Sequence, residues 1–410
     1  MKNNVHFDVG VVGAGPAGLT AALCLSRSRL RIALVGPRPS GPDNRTAALF
    51  TGSVQLLRNL GAWDSCRAAA EPLVAIRIID DMGALLRAPE VLFTAAEVGL
   101  DAFGYNIPHA ALVQALHRQV AAAADKITLV ETAAMTELAV SAEAVEMRLG
   151  DGSAITARLA VGADGRHSAC RNAAGLAART WSYDQSALTC TFSHQRPHDG
   201  VSTEFHRPAG PLTVVPLPGR TSSLVWVERP AVAKRLKDMD EATFRSALET
   251  RLQGLLGPID QVGPRGIFPL SGLTANEAAR NRVALVGEAA HVIPPIGAQG
   301  LNLGFRDAAI LADCVDDVLT NAADIGATET LSAYVRARSF DITSRARSID
   351  LLNRSLISGF LPVQLLRGAG LFALKTINPL RRLAIREGLG PTFLAPRLMQ
   401  RAATEPTPAS

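Results

Sequence analysis

The chain has 410 residues, 48% apolar and 19% charged, with a formal net charge of +5. That balance excludes a disordered chain, and the length suits two or three interlocked domains better than one minimal core. No Lys/Arg-rich run interleaves with aromatics, so a nucleic-acid partner is not expected, and the five scattered cysteines form no C-x-x-C pair, which points to buried thiols in a reducing compartment instead of a disulfide framework or zinc site.

From Met1 to Asp8 the chain runs straight into a strand pattern, without the apolar core and small-residue cleavage site of a signal peptide. Phe7–Val12 is apolar and β-branched, Gly13-Ala14-Gly15-Pro16-Ala17-Gly18 is a glycine turn, Leu19–Ser28 is helix-compatible, and Arg31–Val35 is a second strand. Together they form a βαβ opening. Two later apolar runs, Ala157–Gly162 and Arg282–Val286, end in the glycine-bearing turns Ala163-Asp164-Gly165 and Gly287-Glu288-Ala289-Ala290-His291. These turns lie far apart in sequence, so one nucleotide-binding layer must be interrupted by insertions.

The interruption has its own texture. Thr189–Ser193, Ser202–His206, Leu212–Pro216 and Ser223–Glu228 read as short strands broken by Pro and Gly, and Ala231–Leu256 reads as helical. Thr328–Leu383 is mostly helical, with Pro362 and Pro379 expected as breakers. The fold class is therefore α/β: residues 1–75, 101–180 and 268–345 form a discontinuous Rossmann-like domain, residues 76–100 and 181–267 a β-sheet substrate domain, and residues 346–410 a C-terminal helical region ending in the polar tail Ala403–Ser410.

Gly13, Gly15 and Gly18 have the G-x-G-x-x-G spacing between a strand and a helix. The first glycine permits the tight turn, the second admits a pyrophosphate, and the third lets helix and strand pack closely. The helix N-terminus then offers unpaired N–H groups to phosphate. An acid is expected at the end of the second strand to take the ribose hydroxyls. Gly36 stands there, Asp43 falls too late in a loop, and the nearby Arg38 raises, weakly, the alternative of a phosphorylated ribose.

Ala163 to Arg171 contains D-G-x-x-S-x-x-R, and the Gly287 turn leads into Pro294-Pro295-Ile296-Gly297-Ala298-Gln299-Gly300-Leu301-Asn302. With the first turn, these resemble the three fingerprints of the class A flavoprotein monooxygenases, closest to the ubiquinone-biosynthesis hydroxylases and more distantly to para-hydroxybenzoate hydroxylase. The resemblance covers most of the chain and includes Arg45 with Ala47-Ala48-Leu49. It implies FAD as cofactor and NADH or NADPH as co-substrate. Gly13, Ala14, Gly15, Pro16, Ala17 and Gly18 would hold the pyrophosphate, with Arg45 beside it. Asp164 and Gly165 would serve FAD and the pyridine-nucleotide region. Gly287 and Glu288, where the family usually has Asp, would meet the ribityl and phosphate portion. The segment from Pro295 to Asn302 would line the isoalloxazine, with Gly297, Ala298, Gln299, Gly300, Leu301 and Asn302 bringing backbone N–H groups to it. No metal is implied.

The resemblance also implies a cycle in which NAD(P)H reduces FAD, the reduced flavin activates O₂, and an electron-rich phenol ring is hydroxylated, with the Pro295 carbonyl orienting the phenol hydroxyl. No side chain stands out as an acid or base. His291 reads as packing at a helix start, since no acid partner lies at a defined spacing, and His109 receives no role. The expected substrate is a polyprenylated phenol of ubiquinone biosynthesis. The alternatives are a small soluble aromatic compound, a non-oxygenating prenyl reductase, and a flavin-binding accessory protein of a quinone-synthesis complex. No W-x-W-x-I-P supports a halogenase.

No segment reaches about 18 uninterrupted apolar residues, so a spanning helix is not expected. After Leu351, eight Lys/Arg face only Glu387 and Glu405, and the segments Leu351–Leu361 and Leu365–Ile377 are apolar. Such a region suits either an anionic membrane surface or packing against the FAD domain or a partner subunit. The expected location is cytoplasmic, with peripheral contact at the inner face of the membrane. Assembly into a homo-oligomer or a quinone-synthesis complex is also compatible.

Overall fold

The computed structural model describes residues 5–38, 43–83, 88–132, 135–295, 297–357, 361–389 and 395–400; Ile296 and the tail from Ala403 lie outside them. β1 (Val5–Val12) sits inside a mostly parallel sheet, between β2 (Ile32–Gly36) and the strand Ala154–Gly162. The sheet extends beyond β2 to Ile127–Glu131 and beyond Ala154–Gly162 to Val283–Leu285. Strands covered on both faces read as unbroken apolar runs, and β2 is buried along its whole length. Helix α1 (Pro16–Leu25) packs on this sheet with Gly18 through Leu25 all buried. Beside it lies the long helix Gln299–Leu319, carrying Phe305 and Leu311 into the same core.

A second, nine-stranded sheet contains Ala178–His194, Val201–His206, Leu212–Leu217, Thr221–Glu228 and Gly266–Ala275, together with Ala75–Asp80 and Val91–Thr94. The apolar run at Thr189–Ser193 is only the end of the much longer strand Ala178–His194. Residues 268–275, grouped by sequence with the nucleotide domain, belong to Gly266–Ala275 and pair with this strand, so the chain leaves the second sheet after Ala275. The stretch Ala231–Leu256 is two helices, Pro230–Asp238 and Glu241–Leu252. Met239 is extended there, and the Asp240 carboxylate caps the second helix by accepting the Thr243 N–H at 2.9 Å. Both helices cover one face of the sheet through Leu236, Phe244 and Leu248 against Leu188, Phe192 and Trp226. The opposite face turns Ser223 toward the small sheet of Thr46–Phe50, Glu71–Pro72 and Gly104–Pro108, where it is 3.0 Å from the Thr46 hydroxyl.

The C-terminal region is helical over Thr328–Ile357, Leu361–Thr376 and Asn378–Leu389. Pro362 and Pro379 mark where new helices begin, so the stretch is divided at both, as expected of breakers. Each is the second residue of one, where the missing N–H has no intrahelical partner to lose. Tyr334 pins the first of these helices to the nucleotide sheet by donating to the Leu285 carbonyl at 2.8 Å. The last helix buries Ile385 among Val91, Phe93 and Phe103, while Arg381 ion-pairs with Glu97 and lies over the Phe93 ring. Residues Arg397–Met399 fold back so that Asn59 donates to the Leu398 carbonyl at 2.8 Å.

A buried ionic cluster joins these parts. Asp307, with no exposed side-chain surface, accepts from Arg338 Nε at 2.6 Å and lies 2.7 Å from His291 Nε2. Arg338 and Arg306 both donate to Asp341 Oδ2, at 2.7 and 2.6 Å, and Arg345 donates to Asp341 Oδ1 at 2.7 Å. Burial pushes the Asp307 carboxyl up, but His291 and Arg338 outweigh it and hold the group below the ordinary carboxylate range. Exchanging a whole buried cluster for apolar residues is often neutral, whereas removing one member leaves the others uncompensated. Asp307→Asn should therefore cost about 3–5 kcal/mol of stability, read as a lower urea midpoint.

Arg381 holds the Glu97 carboxyl down to about 2. A depressed carboxylate contributes stability above its unfolded-state value and loses it as pH falls toward the folded one. Limited proteolysis should thus find the segment around Arg381 progressively easier to cleave as pH drops below the ordinary glutamate range, and Glu97→Gln should show that susceptibility at neutral pH.

Candidate functional site

The first two glycine turns touch. Gly13 has φ +115°, and a Cβ there would lie 2.2 Å from the Ala163 carbonyl oxygen. A Cβ on Gly18 would lie 1.8 Å from the Gly13 carbonyl oxygen, so only glycine lets the helix start this close to the strand end. The Ala163 N–H donates to the Val12 carbonyl at 2.8 Å, which seats the second turn beside the first. Asp164 accepts the Cys170 N–H on Oδ2 at 3.1 Å, while its Oδ1 is buried without a partner.

The third turn closes on both. Gly287 opens a short 3₁₀ turn, and a Cβ on it would lie 3.0 Å from the Ala17 side chain. The terminal arginine of the second motif makes the remaining link: Arg171 is buried and donates to the Ala289 carbonyl and to the Arg166 carbonyl, both at 2.9 Å. The Gly287 N–H is already committed, donating to Asp307 Oδ2 at 2.9 Å. Glu288, at the position where the resemblance expects Asp, is exposed beside this turn.

Gly297 and Ala298 both have left-handed backbones, with φ +66° and +53°, and helix Gln299–Leu319 starts directly after them. A non-glycine residue held there is uncommon and marks a site where surrounding structure dictates the turn. Gln299, Gly300, Leu301 and Asn302 thus form the first helical turn, not a loop. Asn302 is fixed by its side chain: Oδ1 accepts the Phe50 N–H at 2.9 Å and the Ser53 hydroxyl at 2.7 Å, and Nδ2 donates to Ala48 and Ala298 carbonyls. Gln299 accepts from Arg345 at 2.8 Å and donates to the Gly388 carbonyl at 2.9 Å. Pro295 is exposed just before the turn.

Arg45 enters from the strand Thr46–Phe50 side. Asp43 accepts from its Nε at 2.9 Å and its Nη2 at 2.7 Å, and also lies 2.7 Å from His109 Nδ1. The paired guanidinium holds the Asp43 carboxyl down to about 2. Hydrogen bonding to Asp43, with further help from the Glu288 carboxylate, raises the Arg45 pKa, so Arg45 sits within electrostatic reach of the third turn.

Several positions were not found by sequence reasoning. His291 does have an acid partner, Asp307, sixteen residues on; a helix must lie across the turn before that spacing means anything. The pair is at most 1% exposed, which keeps it from touching a substrate. His109 and Asp43 have a place as the clamp on Arg45. Arg171 was visible as part of its motif, but its reach to Ala289 was not.

FAD can be tested against this geometry. Added Cβ atoms on Gly15, Gly165, Gly297 and Gly300 would meet nothing within 4 Å, so backbone lines open space at the first two turns and at the start of helix Gln299–Leu319. Both helices that start here, α1 and Gln299–Leu319, lack a side-chain cap and an acid in the first turn, leaving their positive ends available to an anion or an electron-rich ring. Two uncapped helix ends, one arginine and several bare backbone edges fit a long, flat, diphosphate-bearing cofactor.

Comparison with known proteins agrees. Ubiquinone hydroxylase UbiL of Rhodospirillum rubrum is 35% identical over 402 residues, covering 96% of this chain and 92% of its own length. The 3-demethoxyubiquinol 3-hydroxylase of Escherichia coli is 31% identical, covering 94% of this chain and 99% of its own. The crystal structure of p-nitrophenol 4-monooxygenase PnpA from Pseudomonas putida superposes with a TM-score of 0.77 at 20% identity, over 95% of this chain and 99% of that one. The FAD binding domain family matches residues 6–346. The chain belongs to that family, and its cofactor is FAD.

Proposed function

We propose that this protein is an FAD-dependent monooxygenase that hydroxylates a phenolic ring with NAD(P)H and O₂, and that the phenol is a polyprenylated precursor of ubiquinone. The observation that carries the reading is the meeting of three separated turns around one backbone-lined cradle, in a chain 35% and 31% identical to two ubiquinone-pathway hydroxylases. When bound, FAD supplies the electron transfer from NAD(P)H and the activation of O₂ that side chains cannot.

The chain's own residues bind, orient and shield. Gly13 to Gly18 and the N-terminus of α1 receive the pyrophosphate, with Arg45 as counter-charge. Asp164 Oδ1, buried and unpartnered, suits a hydroxyl donor. The left-handed pair Gly297 and Ala298 sets the start of Gln299–Leu319 so that its positive end faces the ring system, where it favours negative charge. The Pro295 carbonyl orients the phenol hydroxyl. Neighbouring walls must exclude water, since activated oxygen is otherwise lost without hydroxylation.

For the prenylated substrate, the supporting feature is the C-terminal surface. Phe372, Ile377, Leu380 and Leu383 are exposed large apolar side chains, near the exposed bases Lys375, Arg382 and Arg386. Apolar side chains among bases suit an anionic membrane surface, where a polyprenylated phenol partitions. No helix among the described residues is long and apolar enough to cross a membrane, so this contact is peripheral.

The protein should purify with, or take up, FAD, and Gly18→Ala should weaken FAD binding at least tenfold by fluorescence titration, because its Cβ would occupy the Gly13 carbonyl position. NAD(P)H oxidation should accelerate on adding a prenylated phenol and yield hydroxylated product by mass spectrometry. Acceleration only by small soluble phenols would refute the prenylated substrate while leaving the hydroxylase; no acceleration by any phenol would refute both. Sedimentation with anionic vesicles should capture the protein, and the double variant Leu380→Asp, Leu383→Asp should lose that capture.

A further inference from the structure

The acid that normally takes the ribose hydroxyls at the end of the second Rossmann strand is missing here, and the structure gives a steric reason. A Cβ on Gly36 would lie 2.8 Å from the Ala14 nitrogen and 2.9 Å from the Ala14 Cβ. The first glycine turn, with Ala14 between its two leading glycines, presses against the strand end and leaves no room for a side chain unless the turn shifts.

The neighbouring strand ends in an acid at the same level. β2 runs parallel to Ile127–Glu131, and Gly36 is in register with Glu131. Residues in register on neighbouring strands project to the same face of the sheet, and such strands run about 4.8 Å apart, within the reach of a glutamate side chain. Glu131 is exposed at the surface, its side chain 38% accessible, and its carboxylate lies 2.5 Å from Arg38 Nε. Arg38 itself comes from the loop directly after β2, so both groups border the edge where the acid is missing. The pairing also gives Arg38 a partner other than a phosphorylated ribose.

We propose that Glu131, positioned by Arg38, accepts the adenosine ribose hydroxyls of FAD in place of the absent strand-two acid. The inference rests on the FAD reading above and assigns a recognition residue to a strand that the motif does not include. A carboxylate accepting from a hydroxyl makes a charge-assisted bond, stronger than a neutral one, and the Arg38 guanidinium lies against that carboxylate.

The test is titration of FAD into the cofactor-free full-length protein, followed by flavin fluorescence. Glu131→Gln should weaken FAD binding about tenfold or more, the loss expected for one charged hydrogen bond. FAD built on 2′,3′-dideoxyadenosine should bind the unmodified protein correspondingly more weakly, and should bind the Glu131→Gln variant no more weakly than FAD does. Thermal melting of the variant without cofactor should match the unmodified protein, since the side chain lies at the surface. Equal FAD affinity of the variant and the unmodified protein would overturn the assignment, as would equal discrimination against the dideoxy cofactor by both. If the unmodified protein binds no FAD at all, the FAD reading itself falls, and the assignment with it.

Discussion

The constraint on which the rest depends is the Asp307 carboxylate. It is fully buried on the helix Gln299–Leu319, yet it receives the Gly287 N–H, faces His291 and binds Arg338. A buried carboxylate is tolerated only when paired and hydrogen-bonded. Satisfying it therefore fixes three things at once: the turn at Gly287, the start of the strand His291–Val292, and the register of helix Thr328–Ile357 on the nucleotide layer. Burial raises the carboxyl's proton affinity and the surrounding positive groups lower it further than burial raises it, so the charge persists inside the protein. Three guanidiniums, those of Arg306, Arg338 and Arg345, share the two carboxylates Asp307 and Asp341. The surplus positive charge lies beneath the helix whose N-terminus begins the Gln299 turn, and its sign is the one that helps a negatively charged cofactor.

The two large sheets meet through this cluster. Only a few residues separate Val283–Leu285, in the nucleotide sheet, from His291–Val292, which pairs with Gly266–Ala275 in the second sheet. The Gly287 turn is the hinge between them, and its geometry is dictated from outside by Asp307. A turn held this way can present backbone to a cofactor without needing a rigid local sequence. That tolerance bears on Glu288: because Asp307 and Ala17 fix Gly287, the following side chain can lengthen by one methylene without moving the turn.

Sequence reading reached the βαβ opening, the three turns and four of the nine strands of the second sheet because each is governed by local chemistry. A glycine spacing at a strand end or a β-branched alternation needs no knowledge of distant residues. What it missed depends on contacts made across the chain. The division of Ala231–Leu256 turned on a single capping side chain, Asp240, inside a stretch whose composition favours helix throughout. The long strand Ala178–His194 carries a register shift between Ser182 and Ser186 that hides its alternation. The His291 partner, the Asp43–His109 contact and the reach of Arg171 to Ala289 are all tertiary, and none has a spacing that distinguishes it from chance. Within the site, sequence identified which backbone segments meet, while the side chains that hold those segments in place stayed invisible.

The C-terminal region illustrates how the two kinds of information combine. Read alone, its arginines and leucines suit either a membrane surface or an internal packing partner, and the structure turns some of them inward and leaves others exposed. Ile385 and Arg381 turn inward, to Phe93 and Glu97, whereas Leu380 and Leu383 turn out. At the end of the same helix, Arg345 donates to the Glu387 carbonyl at 3.1 Å and Gln299 to the Gly388 carbonyl. Helix ends leave their last carbonyls without intrahelical partners, so these two side chains supply what the helix lacks. One of them is the first residue of the helix that faces the cofactor space; the other is a member of the buried cluster. The exposed apolar surface and the helix start at Gln299 are therefore consecutive links in one hydrogen-bonded chain, and neither can shift far without breaking bonds that the other requires.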